Sequence, residues 1–407
     1  MRRRLMLLIL VGCSCGRTLL SIDLDGGDAG GVVAGPDAGP PDAGPSVCVP
    51  LAVIPGMLNP LGPRITLPAD NPKMLDGVMT PAGRVFAVLD PANKRVLVLG
   101  PGWEREVAET TAELFRVHLA WNGSQLALTW QADRRLMFAL FDAQGLLQHR
   151  RELANTTQPD EAVAGFAAGT WVAVWTHGIT TISDAWATRI APDGGDQTLA
   201  QKVTNQPLKV GFPASGISAI VSDAGISALV LGAEYSALAF TNLQPTHQRE
   251  VSVPGSRGRG ALVSLGNGQL SAVFYGEGPN GRRPDLTRID FRPDGGQTSG
   301  VVASQPSLFT IEDLAAMECA GRLVVAFTDD TTGQGPCIGD YCARPLIHVA
   351  TGVDGGDWHS SETDGGYARS VTVLRNGNSL DVAWLSASSD GTAQVVVASA
   401  IVSCCGP

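Results

Sequence analysis

The feature that most constrains this chain is a short pattern that returns along nearly its whole length. Its fullest form is Trp121-Asn122-Gly123-Ser124-Gln125-Leu126-Ala127-Leu128-Thr129-Trp130: a strand end, a tight turn and a second strand closing on a large aromatic. The second strand reads aliphatic, any, small or aliphatic, any, large apolar. Seven copies fit, at Val85 to Leu89, Leu126 to Trp130, Trp171 to Trp175, Ile226 to Val230, Leu270 to Phe274, Leu323 to Phe327 and Leu380 to Trp384. Each follows a turn rich in Gly or Asn, such as Ala82-Gly83, Asn122-Gly123 or Asn376-Gly377. These residues accept the positive φ that two-residue hairpin turns demand. Short runs of Val, Ile, Leu, Phe and Trp bounded by such turns argue strand and not helix.

Further strands follow each copy. A third is read at 136–141, at 185–190 and at 285–291, the latter two ending in Pro-Asp-Gly-Gly. A fourth, more polar strand comes next, as at 151–155. Polar character suits a strand that forms the exposed edge of its sheet. Four strands per unit at a spacing of roughly 41 to 57 residues is the pattern of a β-propeller. The expectation is therefore an all-β, seven-bladed β-propeller, with six or eight blades as alternatives. A helical turn or two is read only over 107–115.

The order of strands also predicts how the ring closes. The last unit supplies a first strand near 371–374, a second at 380–384 and a third near 394–402, and then the chain stops. The sequence Ile65-Thr66-Leu67-Pro68-Ala69-Asp70-Asn71-Pro72 looks like the fourth-strand sequence that begins at Arg151. Residues near 64–67 are thus expected to add the outer strand to the C-terminal blade, joining the ends without an unpaired seam.

Ahead of the ring stand two segments that are not fold. Arg2-Arg3-Arg4 followed by the apolar run 5–11 is too short to span a bilayer and reads as an export signal over residues 1–12. Leu10-Val11-Gly12-Cys13 resembles the bacterial lipobox, in which the cysteine becomes the lipidated first residue; an ordinary cleaved signal is the alternative. Lipidation of Cys13 would hold the protein on a membrane, and Ser14 after it points by resemblance to the outer membrane. Residues 13–46, rich in Pro, Asp, Ala and Gly, carry almost no large apolar side chain to offset ordering entropy, so a disordered, flexible tether is expected. Residues 47–407 form the propeller.

Eight cysteines are present. With Cys13 lipidated and Cys15 in the tether, six remain in a chain expected to meet an oxidising compartment. Cys337 and Cys342 lie in one loop and form a plausible local bridge. Cys48 precedes the closing strand while Cys404 and Cys405 end the chain, so one of these two would pair with Cys48. Cys319 would then take the other. No CxxC pair occurs and the six His are scattered, which argues against zinc.

The net charge is −10 and no long Lys/Arg cluster exists outside the start of the chain, so nucleic acid is not expected as a partner. The search for chemistry yields little. No Gly-x-Ser-x-Gly elbow, His-Glu-x-x-His or phosphate loop is present. Ser361 to Tyr367 echoes a sialidase Asp-box only loosely, and Tyr275 with Glu277 reads as a loop aromatic beside a solvated acid. The Asp-Gly-Gly turns at Asp193, Asp294, Asp354 and Asp364 read as turn chemistry. Trp130, Trp175 and Trp384 read as core between sheets. His118 and His177 are read as approaching an end of the channel in structural roles. No catalytic residue, cofactor or metal is assigned.

The unit starting at Ala120, with its trailing Trp130, resembles the propeller repeats of surface lipoproteins in GC-rich delta-proteobacteria, myxobacteria above all. The Pro-Asp-Ala-Gly tether and the lipobox are similar to the same group. The resemblance implies fold, anchoring and an envelope location, and it implies no reaction. The functional expectation is a non-catalytic module that binds a protein or glycan ligand through loops at one face. Two alternatives are carried: an envelope assembly scaffold, and a propeller-type hydrolase or lyase. The latter would show as several acids and an arginine converging at the channel mouth.

Overall fold

The chain divides into two units, Met1–Ser46 and Val47–Pro407. The structure, a computed structural model, describes residues 59–67, 73–155, 161–179, 182–196, 198–204, 208–209, 216–231, 235–241, 248–254, 260–266, 269–277, 284–292, 297–303, 311–319, 321–329, 346–352, 359–363, 367–388 and 390–403. The expectations for Cys13 and the tether, and those for Cys48, Cys337, Cys342, Cys404 and Cys405, lie outside these residues. Cys319 is described: it is buried and is half of a disulfide.

The architecture is an all-β propeller. Among the described residues the strands pair into seven antiparallel sheets, six of four strands and one of five. Sheet 2 shows the plan. Leu114–Trp121 pairs with Gln125–Ala132, which pairs with Arg135–Asp142, which pairs with Leu147–Asn155. The turn in its first hairpin holds because the Asn122 side-chain oxygen accepts the Ser124 N–H at 2.9 Å and the Gln125 N–H at 2.7 Å, while Gly123 sits at φ 101°. In sheet 3 the turn Ala168-Gly169 takes positive φ at both residues, a strain of order 1 kcal/mol for the alanine. The Ala168 N–H is in turn fixed by Asp223 Oδ1 at 2.6 Å.

The innermost strands, in sheet order, are Leu75–Thr80, Leu114–Trp121, Ala162–Ala167, Gly216–Ser222, Gly260–Gly266, Ile311–Cys319 and Tyr367–Asn376. Each packs beside the next, and the seventh packs beside the first. Among the described residues the second strands are heavily buried. Trp130, Trp171, Trp384, Phe86, Phe274 and Phe327 have at most 1 % of their surface exposed, and Trp175 is nearly as buried. Outer strands alternate or turn polar, as in Leu147–Asn155.

Two expectations need correction in detail. Residues 107–115 form no helix: Val107 lies in a strand that ends at Ala108, Leu114 begins another, and both are buried in the same core. Between them Glu109 accepts Trp130 Nε1 at 2.8 Å and pairs with Arg150 at 2.6 Å, so burial and pairing hold this link as an irregular connection. The only helical segment among the described residues is the 3-10 turn Pro91–Asn93. The strand expected near 64–67 is longer and earlier: Asn59–Thr66 pairs antiparallel with Thr392–Ser403, setting Ile65 opposite Ala393 and Asn59 opposite Val397.

Sheets 7 and 1 also meet through charge. Arg84 reaches Asp381 at 2.7 Å and Ser399 at 2.6 Å, with the Asp381 side chain fully buried. Ile65 is 2 % exposed in the core shared by these sheets, whereas its neighbour Arg64 is 63 % exposed. Ile65→Ala is expected to lower unfolding stability by about 2–4 kcal/mol, and Arg64→Ala by under about 0.5 kcal/mol. Urea titrations of the two variants check this; equal effects would show that the strand is not held by its buried face.

Candidate functional site at the channel mouth

One end of the channel holds a cavity of about 370 Å³ lined by the innermost strands. Its charged lining comes from four sheets: Lys73 and Asp76 from sheet 1, Arg116 and His118 from sheet 2, Glu161 from sheet 3 and Asp313 from sheet 6. Small residues such as Ala164, Ala219 and Ala316 leave the space open.

Local structure turns these side chains inward. Arg116 lies at φ 48° within a bulge of its strand, and Ser370 at φ 45° within a bulge of the corresponding strand of sheet 7. Bulges re-aim side chains: Arg116 lines the cavity, and Ser370 Oγ meets the Met74 N–H of the next sheet. Both are also buried, so the conformational strain is held by packing.

The acids do two jobs. Each accepts a backbone N–H from the next sheet around the ring. Asp76 Oδ2 accepts Leu119 N–H at 2.9 Å, Glu161 Oε2 accepts Ile217 N–H at 2.9 Å, and Asp313 Oδ2 accepts Val371 N–H at 2.9 Å. Two hydroxyls act alike: Ser218 Oγ accepts Leu262 N–H at 3.0 Å and Ser370 Oγ accepts Met74 N–H at 2.8 Å. The remaining carboxylate oxygens are also engaged. Thr372 donates to Asp76 Oδ1 at 3.0 Å, Leu314 N–H to Asp313 Oδ1 at 3.0 Å, and His118 Nε2 bonds Glu161 Oε1.

His118 is the centre of the charged group. Its other ring nitrogen lies 3.6 Å from Asp76 Oδ2, and Arg116 lies 3.8 Å from Glu161 Oε2. Burial and the Lys73 charge pull the imidazole down, but Glu161 and Asp76 outweigh them and hold it above its ordinary value. Burial pushes Asp76 up, yet Lys73, His118 and the Leu119 N–H bring it to about 2. Glu161, likewise opposed by burial, is brought to about 2 by His118, Arg116 and Lys73. Burial also pulls Lys73 down, and Asp76, Asp313 and Glu161 together raise it above its ordinary value. Lys73, Arg116 and His118 are thus cationic while Asp76 and Glu161 are anionic. Lys73 differs from the rest: among the described residues its ammonium makes no hydrogen bond or ion pair, only these longer-range attractions.

Of the residues singled out from the sequence, only His118 enters this site. His177 stands in the second strand of sheet 3, opposite Asp184. Tyr275 is wholly buried in a core cluster, and Asp193 accepts the Gly195 N–H as a turn residue. Sequence reasoning missed Arg116, Glu161, Asp313 and Ser370. A signal was there: each lies ten residues ahead of its copy of the repeat, at Leu126, Trp171, Leu323 and Leu380. Among the described residues no three side chains are placed to hold a metal ion.

The linkage has two limbs. The depressed Asp76 and Glu161 stabilise the fold above their unfolded values near ~4 and lose that contribution as pH falls toward ~2. The raised His118 stabilises it below ~6.5 and loses that contribution as pH climbs through the higher folded value. His118→Gln is expected to cost about 3–5 kcal/mol at pH 6 by stranding two buried carboxylates. The gap to the unsubstituted protein should narrow on going to pH 9. Unfolding midpoints across this range check it, and a gap independent of pH would remove His118 from the ionic group.

No protein-family model matches the chain, and no curated protein matches it. Solved structures do resemble it. A streptogramin B lyase structure matches at 10 % identity over 84 % of this chain and 96 % of that chain, with a TM-score of 0.50. A lectin from Aleuria aurantia in complex with alpha-methyl-L-fucoside matches at 12 % over 72 % and 95 %, with a TM-score of 0.45. The Dos1 propeller matches at 9 % over 78 % and 76 %, with a TM-score of 0.49. At such identities the likeness is one of fold alone; it is the ring of paired sheets that makes this chain a β-propeller.

Proposed function

We propose that this chain is a membrane-anchored, non-catalytic lipoprotein whose propeller binds a small polar ligand at the channel mouth. In this reading residues 1–12 direct export, Cys13 carries lipid in the outer membrane, and 13–46 hold a seven-bladed ring clear of the surface. Asn59–Thr66 closes that ring as the outer strand of the last blade, and a disulfide between Cys48 and Cys404 or Cys405 secures the junction. A glycan or a protein side chain enters the cavity, and nucleic acid is not a partner.

One observation carries the binding reading: every oxygen of Asp76, Glu161 and Asp313 already accepts a hydrogen bond within the protein. A general base works best with a pKa near the operating pH, and Asp76 and Glu161 sit near 2. Such groups form a fixed pattern of charge. The convergence of three acids with Arg116 and His118 favours a second reading, a propeller-type hydrolase or lyase with His118 as general acid.

An array of glycans and peptides probed with the full chain separates the two. Ligands retained on the array should be lost in Ala219→Phe, which fills the cavity, and should be recovered chemically unchanged. Cleaved or rearranged ligand would establish the enzyme reading, and binding that survives the filled cavity would move the site elsewhere. In membrane fractionation, Cys13→Ser should release the chain from the envelope; the same distribution for both proteins would refute the anchor.

A further inference from the structure

We infer that the channel-mouth cavity is built for a neutral, hydroxyl-rich ligand, a sugar ring, with the Lys73 ammonium as the donor that fixes it. This deepens the binding reading above and rests on it. Lys73 faces a cavity and uses none of its three N–H donors on a direct partner among the described residues. Lys73 is half-buried in a cavity lined by charged groups, where an incoming acceptor meets less solvent screening than at a fully exposed lysine.

Charge selects among acceptors. Asp76, Asp313 and Glu161 all act on Lys73, and their combined field repels an anion arriving at the ammonium. A cationic ligand meets the opposite obstacle, because Lys73, Arg116 and His118 line the same space. A neutral hydroxyl escapes both: its oxygen accepts from Lys73, and its proton reaches the second lone pair of a carboxylate oxygen. Several hydroxyls on one ring match several such places. The volume of about 370 Å³ is at the low end for small-molecule sites, which suits a single ring at the end of a chain.

The test presents three classes of probe to the full chain: neutral methyl glycosides, uronic and sialic acids, and amino sugars. Saturation-transfer NMR identifies binders and calorimetry measures them. At least one neutral glycoside should bind. Lys73→Met should weaken it about ten-fold or more, the worth of a hydrogen bond to a charged group. Lys94→Met, an exposed lysine outside the cavity, should leave it unchanged. Binding by the acidic or amino probes alone overturns the inference and leaves the binding reading standing. Silence from all three classes, with no array ligand sensitive to Ala219→Phe, overturns both. Should Lys73→Met fail to fold, the order of the three classes on the unsubstituted protein still decides.

Discussion

A propeller leaves the inner edge of every sheet without a neighbouring strand. The backbone groups along that edge face the channel, and an unpaired, buried N–H is expensive. The structure meets this cost with side chains passed from sheet to sheet. Asp76, Glu161, Ser218, Asp313 and Ser370 each take an N–H from the following inner strand, always in the same direction around the ring. Five of the seven junctions are held in this way, and the junction of sheets 2 and 3 is crossed by the His118–Glu161 contact. These bonds need no backbone pairing between sheets, so they hold neighbours together while leaving a hole at the centre.

The choice of carboxylates for three of these acceptors has a consequence. A buried anion must be compensated, and compensation arrives as Arg116, His118 and Lys73 from sheets 1 and 2. What begins as a structural need thus produces an ionic lining at one mouth of the channel. The two roles separate residue by residue. The carboxylates are consumed by the scaffold, and their low pKa values follow from that use. Lys73, held by field and not by contact, is left with donors to offer. In the proposed binding reading, Lys73 is the member of the group left free of architectural duty.

The repeat was legible because its physics is local: alternation, a turn with Gly or Asn, and a bulky residue to fill the space between sheets. Trp130, Trp175 and Trp384 announce their burial by type alone. The pairing of Asn59–Thr66 with the last strand was foreshadowed by a likeness between the start of the domain and the sequence after Arg151, though its bounds were not, since Asn59 and Pro60 carry no strand signal. The site was harder. Arg116, Glu161 and Asp313 share a place in the ring but not a residue type, so a search for repeated letters passes over them. Only counting back from the apolar strand brings them into line. The compensating partners come from sheets far apart in sequence, and no local pattern pairs Lys73 with Asp313.

Fixed offsets with unlike residues are informative in their own right. A position that served architecture alone could be filled by the same acceptor in every sheet. Here the position ten residues ahead of the repeat holds Arg116, Glu161, Gly216, Gly260, Asp313 and Ser370 in copies 2 to 7. Gly260 stands where a Cβ would meet Leu231 and the Val273 backbone, so close packing fills the position on that side while ionic groups gather on the other. A repeated architecture would be served by evenness. Departure from it at one mouth of the channel, where backbone strain at Arg116 is also held, is what the proposed binding reading draws on.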